Sequence, residues 1–228
     1  IDIDSRLQYT IDLSTSVAWM NGLQYYLNHD LVINNGHIIC SDTQWALTVI
    51  SQVQFWDDYN LKTKGNGDIK GVLSVDISDW TTPGHFTTVL PAKECNLEQI
   101  EKEIWAQLQH SLNVEKDILK DEYKVDFYLD RDIRIKPSSR FTTKELEDTE
   151  PLLVNKVNTW ALRPESDCYI PNLFFASDYV RGYTDLATME GANEASRRAV
   201  NCILDKDDSP KPDCKVWDFK EPFCFGLL

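Results

Sequence analysis

The sequence predicts an α+β fold, in which several short strands accompany three helices. Three short stretches have the apolar and polar patterns of strands, and they cover residues 23–27, 72–78 and 123–129. Two amphipathic patterns cover residues 97–112 and 188–204. In each of them apolar residues recur at every third or fourth position, as in a helix with one buried face. A hydrophobic content of 42% supplies enough apolar side chains for a packed core.

The first forty residues favour strands separated by turns. Polar and apolar residues alternate over residues 8–14, which predicts a strand. The Asn21-Gly22 pair predicts a turn before the strand at residues 23–27. Asn34-Asn35-Gly36 predicts another turn, and the apolar residues after it predict a short strand over residues 37–40.

Two capping pairs predict where helices begin. Ser41 and Gln44 have the spacing of a capping box, in which each side chain satisfies a backbone N–H of the first turn. This pair predicts a helix across residues 45–53. Asn96 and Gln99 have the same spacing and precede the amphipathic pattern of residues 97–112, where the charges lie opposite the apolar face.

The segment that follows predicts a linker and a returning strand. Residues 136–151 combine two prolines with several serines and threonines and alternating charge, a composition typical of a loop or linker. Residues 154–162 predict a strand that leads the chain towards the C-terminal elements.

The C-terminal third has the pattern of a strand, a polar turn and a helix. The run Leu173–Ala176 is apolar throughout and predicts a strand buried on both faces. A polar turn over residues 177–182 follows, and Thr184 and Asp185 are candidate N-caps for the helix. A helix that begins after such a turn offers free N–H groups and a positive dipole end to a ligand. Asp178 could accept hydrogen bonds from hydroxyl groups there.

This C-terminal stretch resembles the flavin-contacting motif of the FAD-dependent amine oxidase and phytoene desaturase superfamily. The family pattern is an apolar strand, Ala-Gly-Asp, a variable loop, Ala-(Ser/Thr)-Met-Glu-Gly-Ala and a helix. The matching residues are Phe175-Ala176-Ser177-Asp178 and Ala187-Thr188-Met189-Glu190-Gly191-Ala192. An ordinary strand–turn–helix with alanines chosen for packing is the alternative interpretation of the same residues.

The resemblance implies a set of cofactor contacts and a substrate class. It implies that Asp178 contacts the ribityl or pyrophosphate part of FAD and that the backbone at Thr188 and Met189 faces the isoalloxazine ring. Two positions depart from the pattern. Ser177 replaces the usual glycine, and Thr188 stands where amine oxidases have a ring-flanking tyrosine. The second departure favours a desaturase-like substrate over an amine.

The candidate site follows from this comparison. The cofactor-binding candidates are Ser177, Asp178, Thr188, Met189, Glu190 and Ala192. Trp160 is a candidate lining residue of a substrate cavity beside the ring, and a core tryptophan is the equally weighted alternative. No residue is assigned to catalysis, because the flavin itself carries the redox chemistry. No metal site is expected, since the four histidines lack ligand spacing.

The resemblance also implies a division into domains. Residues 1–154 would form a substrate-binding domain with a mixed sheet flanked by helices. Residues 155–204 would return to a Rossmann-like FAD domain, and residues 205–228 would form a tail. A weaker resemblance to desaturase-like relatives covers Met20–Leu27 and parts of the stretch Trp45–Trp56.

The sequence lacks the Gly-x-Gly-x-x-Gly fingerprint that holds the ADP half of FAD in such proteins. We therefore expect the chain to be the C-terminal part of a larger enzyme, inactive by itself, whose N-terminal FAD-binding half is its partner. The expected reaction is oxidation or desaturation of a C–H bond in a small organic substrate by hydride transfer to FAD. An apolar isoprenoid substrate is preferred. The alternatives are an amine oxidase and a non-catalytic binding module that retains a remnant of a flavin domain.

The net charge disfavours some classes of binding partner, and the cysteine pattern indicates a cellular compartment. A net charge of −14 disfavours nucleic-acid binding and attraction to anionic membranes. The six cysteines show no Cys-x-x-Cys pair, so we interpret most of them as free thiols in a reducing compartment, the cytoplasm. The aromatic tail Phe219–Leu228 would pack back on the domain or, as the alternative, dock on a membrane surface or a partner.

Overall fold

The computed structural model describes residues 4–136 and 146–218, which form three helices and nine strands and confirm the α+β class. The helices are α1 Leu7–Leu13, α2 Leu97–Leu112 and α3 Met189–Lys206. The strands are β1 Val17–Ala18, β2 Asn21–Leu27, β3 Ile38–Cys40, β4 Leu47–Ser51, β5 Gly71–Ile77, β6 Lys124–Leu129, β7 Ile133–Ile135, β8 Leu146–Asp148 and β9 Leu152–Leu153. The chain divides into a sheet unit, Trp19–Pro151, and a terminal unit, Ile1–Ala18 with Leu152–Leu228.

The sheet unit contains a five-stranded sheet in the order β3-β4-β5-β2-β6. Every pairing in it is antiparallel, so the predicted mixed sheet is wrong. A parallel neighbour needs a long crossover connection. The connection that contains α2 joins β5 to β6, and these strands run in the same direction but lie on opposite sides of β2. The crossover therefore creates no parallel pair.

One face of the sheet packs against α2. The inward residues of β2 are Leu23, Tyr25 and Leu27, and each is at most 1% exposed. Ile104 belongs to the same cluster on α2, and the Tyr25 hydroxyl donates to the carbonyl of Glu101 at 2.7 Å. The predicted capping box at the start of α2 is confirmed, because the Asn96 and Gln99 side chains each accept from the other's backbone N–H.

The opposite face of the sheet is less buried. Gln24 on β2 pairs with Ser74 on β5, and Ile50 on β4 pairs with the same serine from the other side. Tyr26 also lies on this face, and none of these four side chains is in the buried core. The sheet thus has the one-sided alternation that antiparallel sheets commonly show.

A buried carboxylate of α2 organises the loop that precedes the helix. Glu103 is fully buried and accepts hydrogen bonds from the backbone N–H groups of four consecutive residues. The donors are His85 at 2.7 Å, Phe86 at 3.0 Å, Thr87 at 2.6 Å and Thr88 at 3.1 Å. Burial alone would raise the pKa of Glu103, but these hydrogen bonds lower it to about 2.

The terminal unit contains α1, α3 and the short β1–β9 ladder, in which Val17 pairs with Leu153. Asp4 lies immediately before α1 with its side chain fully buried against Arg6, at 2.7 Å, and it accepts from the backbone N–H of Tyr169 at 2.8 Å. The Arg6 side chain is the main cause of a lowered pKa at Asp4.

Two predicted elements in the first half of the chain are of the wrong type. Residues 8–14 were expected as a strand, but residues 7–13 form α1, where the Asp4 carboxylate accepts from the Arg6 N–H at the start of the helix. Residues 45–53 were expected as a helix, but β4 lies there. Ala46 has a φ of 48°, which a helix does not contain, and the Thr43 hydroxyl accepts from the Leu47 N–H to start the strand.

The strand predictions before α3 are also wrong. Residues 154–162 form a loop and a short 3-10 turn, and Asn158 in the middle has a φ of 66°. The run Leu173–Ala176 is not a buried strand, since Leu173 is 37% exposed and only a single bridge joins Phe174 to Asp167. No neighbouring strand extends that bridge within the described residues, so the apolar run has no sheet to join.

Three further observations concern the linker, the cysteines and the tail. Residues 146–148 of the predicted linker form a strand that pairs with β7, and residues 137–145 lie outside the described residues. The five described cysteines are free thiols, as predicted. The predicted tail segment Phe219–Leu228 also lies outside the described residues. Within the described part, no helix has the length and apolarity required to cross a bilayer.

Candidate functional site

The helix α3 begins where the motif resemblance places it. Its N-cap is Thr188, whose hydroxyl accepts from the Gly191 N–H at 3.1 Å, so neither Thr184 nor Asp185 is the cap. The Ala192 N–H donates to the Thr188 carbonyl at 3.0 Å. Met189 is 91% exposed and Glu190 is also exposed. No acceptor for the N–H groups of Met189 and Glu190 occurs among the described residues, and these amides are available to a ligand.

The backbone before Asp178 has a conformation that favours glycine. Ser177 has a φ of 132°, which L-residues with a side chain rarely adopt. Its hydroxyl donates to Asp178 Oδ1 at 3.1 Å, and the Asp178 side chain is half-buried. The superfamily pattern has glycine at this position, so the serine occupies the backbone conformation that a glycine would adopt without strain.

Ser177→Gly is therefore expected to stabilise the protein. Removing the strained side chain should raise the free energy of unfolding by about 1 kcal/mol, even though glycine is more flexible in the unfolded chain. Chemical denaturation of both proteins measures this difference. Ser177→Ala is the matched control, because it removes the hydroxyl and keeps the strain. Equal stabilities for the glycine and alanine variants would show that the backbone at Ser177 is not strained.

A buried arginine holds the loop between Asp178 and α3. Arg163 is 2% exposed, and one of its terminal nitrogens donates to the Asp178 carbonyl at 2.6 Å. The other donates to Asn155 Oδ1 at 2.7 Å. Arg163 Nε lies 2.7 Å from Asp185 Oδ1 as an ion pair, and the Asn155 amide donates to the Asp185 carbonyl. Arg163 thus connects both ends of the loop 178–185.

A carboxylate on α3 holds the same loop from the helix side. Glu194 is 7% exposed and accepts from the backbone N–H groups of Tyr183 at 2.7 Å and Thr184 at 3.0 Å. Arg198, one turn further along the helix, pairs with it at 2.7 Å. Burial opposes ionisation, but these backbone hydrogen bonds and the arginine lower the pKa of Glu194. A Cβ at Gly182 would lie 2.9 Å from Glu194 Oε1, so a larger residue there would displace the Glu194 carboxylate.

Trp160 lies on the surface of the terminal unit and not in its core. The indole is 48% exposed, and the Arg181 guanidinium lies 4.7 Å from its ring centroid. Arg181 also pairs with Glu165 at 2.8 Å. A cavity of about 320 Å³ in this unit is lined by Arg163, Arg181 and nine other residues, but Trp160 and the six cofactor-binding candidates are not among them.

The candidates therefore form two groups. Ser177 and Asp178 lie in the loop held by Arg163, while Thr188, Met189, Glu190 and Ala192 lie at the cap and first turn of α3. No hydrogen bond joins the two groups among the described residues. The candidate list lacks Arg163 and Glu194, which connect the loop to the rest of the unit. The spacing of Glu194 and Arg198, four residues apart on a helix, is a signal for an ion pair, whereas the contacts of Arg163 depend on the tertiary structure.

Comparison with models of known protein families gives no match, and comparison with curated proteins gives none either.

Proposed function

We propose that this chain is part of an FAD-dependent oxidoreductase and that the loop at Asp178 and the first turn of α3 contact the flavin. The observation that carries the proposal is Ser177, which has a φ of 132° at the position where the resembling motif has glycine. The backbone thus has the conformation that explains the glycine of the pattern, twelve residues before α3 begins at Met189, within the motif's Thr-Met-Glu.

The residues of the site fit the chemical groups of a flavin. The Asp178 carboxylate accepts one hydrogen bond, from Ser177, and has acceptor capacity left for ribityl hydroxyls. The N–H groups of Met189 and Glu190 would donate to an electron-rich edge of the ring, supported by the helix dipole. FAD, when bound, supplies the hydride acceptor. Arg163 and Glu194 hold the loop and so orient Asp178 before any ligand arrives.

The reaction class follows from the cofactor, and the substrate follows from the motif. A small organic molecule would lose a hydride from a C–H bond to the flavin. Thr188 at the ring-flanking position favours an apolar isoprenoid over an amine. The N-terminal FAD-binding half of the same protein would complete the cofactor site, in the cytoplasm or in peripheral contact with a membrane.

The experiment is a titration of FAD into the complete protein, the product of the whole coding sequence. Asp178→Ala should weaken FAD binding roughly ten- to 150-fold, since a hydrogen bond to a charged group contributes roughly 1.5–3 kcal/mol. Asp213→Ala is the control, because Asp213 is an exposed aspartate of the same unit outside the motif. Unchanged flavin affinity in Asp178→Ala would remove the role that we assign to Asp178.

A non-catalytic binding module is the second candidate, and the missing Gly-x-Gly-x-x-Gly favours it. The coding sequence upstream of Ile1 distinguishes the two. A strand, that fingerprint and a helix in the same reading frame support the flavoenzyme, whereas a start codon immediately before Ile1 supports the module.

A further inference from the structure

Two stretches that the sequence analysis connected with desaturase-like relatives meet at one cavity of the sheet unit. Gln24 and Tyr26 come from β2, in the first stretch, and Gln52 and Trp56 come from the end of the second. The cavity has a volume of about 820 Å³ and opens widely on the less buried face of the sheet. The residues that complete its lining are Asp57, Asp58, Tyr59, Leu61 and Val72. We call it the aromatic cavity.

Three aromatic rings line this cavity, those of Tyr26, Trp56 and Tyr59. The rings of Trp56 and Tyr59 have centroids 5.5 Å apart and are perpendicular, at 88°. Tyr59 is 47% exposed, and Trp56 and Tyr26 are half-buried. Rings held in this way offer apolar surfaces on which the face of another ring can pack.

Amide and hydroxyl groups lie beside the rings. The Tyr26 hydroxyl donates to Gln24 Oε1 at 3.3 Å. The amide nitrogens of Gln24 and Gln52 both reach the Ser74 hydroxyl, at 3.5 and 3.3 Å. Among the described residues, none donates to Gln52 Oε1. The network is held in place but retains hydrogen-bonding capacity, and amides can both donate to and accept from a hydroxyl group.

The charges at the cavity disfavour anionic ligands, and they disfavour a cation at the Tyr59 ring. Asp57 and Asp58 are its charged residues, both are exposed, and neither has an ion-pair partner within the described part of the chain. Among the described residues, no arginine or lysine lines the cavity to attract a phosphate or a carboxylate. A cationic ligand is disfavoured at one ring, because the Lys64 ammonium already lies 5.3 Å from the Tyr59 centroid. The two carboxylates can instead accept hydrogen bonds from hydroxyl groups.

We propose that the aromatic cavity binds an uncharged ring that carries hydroxyl groups, with the ring packed against Trp56 and the hydroxyls bonded to Gln52 and the two aspartates. The site requires neither the flavin nor another chain. A failure of the flavin assignment would therefore leave it unaffected, and its own failure would leave the flavin assignment unaffected.

The test is calorimetric titration of the purified 228-residue chain with two uncharged probes, methyl β-glucoside and resorcinol. At least one should bind saturably, and the one that binds identifies an aliphatic or a phenolic ring. Trp56→Ala should weaken that binding by about tenfold, because it removes the stacking surface. Phe55→Ala should leave it unchanged, since Phe55 is the adjacent residue, 48% exposed, and does not line the cavity.

Charged analogues decide the ligand class. Glucosamine and glucose 6-phosphate should bind no more tightly than the glucoside, and added salt should not change the affinity of the uncharged probe. Tighter, salt-sensitive binding of glucosamine would overturn the proposal in favour of an ammonium site. Absence of saturable binding by both uncharged probes would overturn it too, as would equal effects of Trp56→Ala and Phe55→Ala. Should Trp56→Ala fail to fold, Gln52→Ala with Gln54→Ala as its control makes the same test.

Discussion

Arg163→Met is expected to lower the free energy of unfolding by about 3 kcal/mol, because methionine keeps much of the apolar volume and removes every polar contact of a buried guanidinium. The substitution would leave the Asp178 carbonyl and Asn155 Oδ1 without their donor and the Asp185 carboxylate without its ion-pair partner. The Asp185 side chain is 37% exposed, so water can replace part of the lost interaction, and the effect should fall at the lower end of the range for broken buried ion pairs.

Urea denaturation measures the overall loss, and hydrogen exchange localises it. In Arg163→Met the backbone amides of the loop 178–185 should exchange faster, while those of β5 in the sheet unit should not change. Arg134→Met is the matched control, since that side chain is 58% exposed and pairs with Asp132 at the surface. A stability equal to that of the control would mean that Arg163 does not hold the loop.

Glu103→Ala is expected to destabilise the sheet unit by about 3 kcal/mol or more. Four consecutive N–H groups, from His85 to Thr88, would lose their acceptor, and burying an unsatisfied donor costs about 1–3 kcal/mol before water enters. Glu98→Ala is the control on the same helix. Its exposed side chain pairs with Lys102 at the surface, so little change is expected.

The lowered pKa of Glu103 predicts that the protein loses stability in acid. The folded-state pKa of Glu103, about 2, lies below the ordinary value of 4.5, so the charged form is favoured by folding. The contribution of the Glu103 carboxylate to the free energy of unfolding is therefore complete above pH 4.5 and is lost as the pH falls towards 2. Unfolding free energies measured between those values should decrease less steeply in Glu103→Ala than in the unaltered protein. Equal slopes in the two proteins would contradict the assignment.

The elements that local pattern could predict are those in which the pattern and the tertiary structure agree. The helix α2 has a capping box, a long apolar stripe and a sheet to cover, and its prediction is confirmed. The strands β2 and β5 alternate as their one-sided burial requires. At β4 the apolar residues fit a helix as well as a strand. Pairing with β3 and β5 stabilises the strand conformation there.

The candidate site divides in the same way. The start of α3 near Thr188 could be predicted from the motif, but its N-cap is Thr188 and not the candidates Thr184 and Asp185. The environment of Asp178 could not, because the contacts of Arg163 join residues 8 to 22 positions away through a loop without regular hydrogen bonding. Local sequence indicates which residues can cap a helix. It does not indicate which acceptors a buried arginine will contact, because these are brought together by the tertiary structure.

The terminal unit is assembled from both ends of the chain, with β1 paired to β9 across the whole sheet unit. During synthesis the ribosome releases residues 4–18 long before their partners exist. The continuous sheet unit can fold first, whereas α1 and β1 must wait until β9 and the segment that contains Tyr169 have emerged. Residues 4–18 therefore stay without their partners, and exposed to chaperones and proteases, while the whole sheet unit is synthesised.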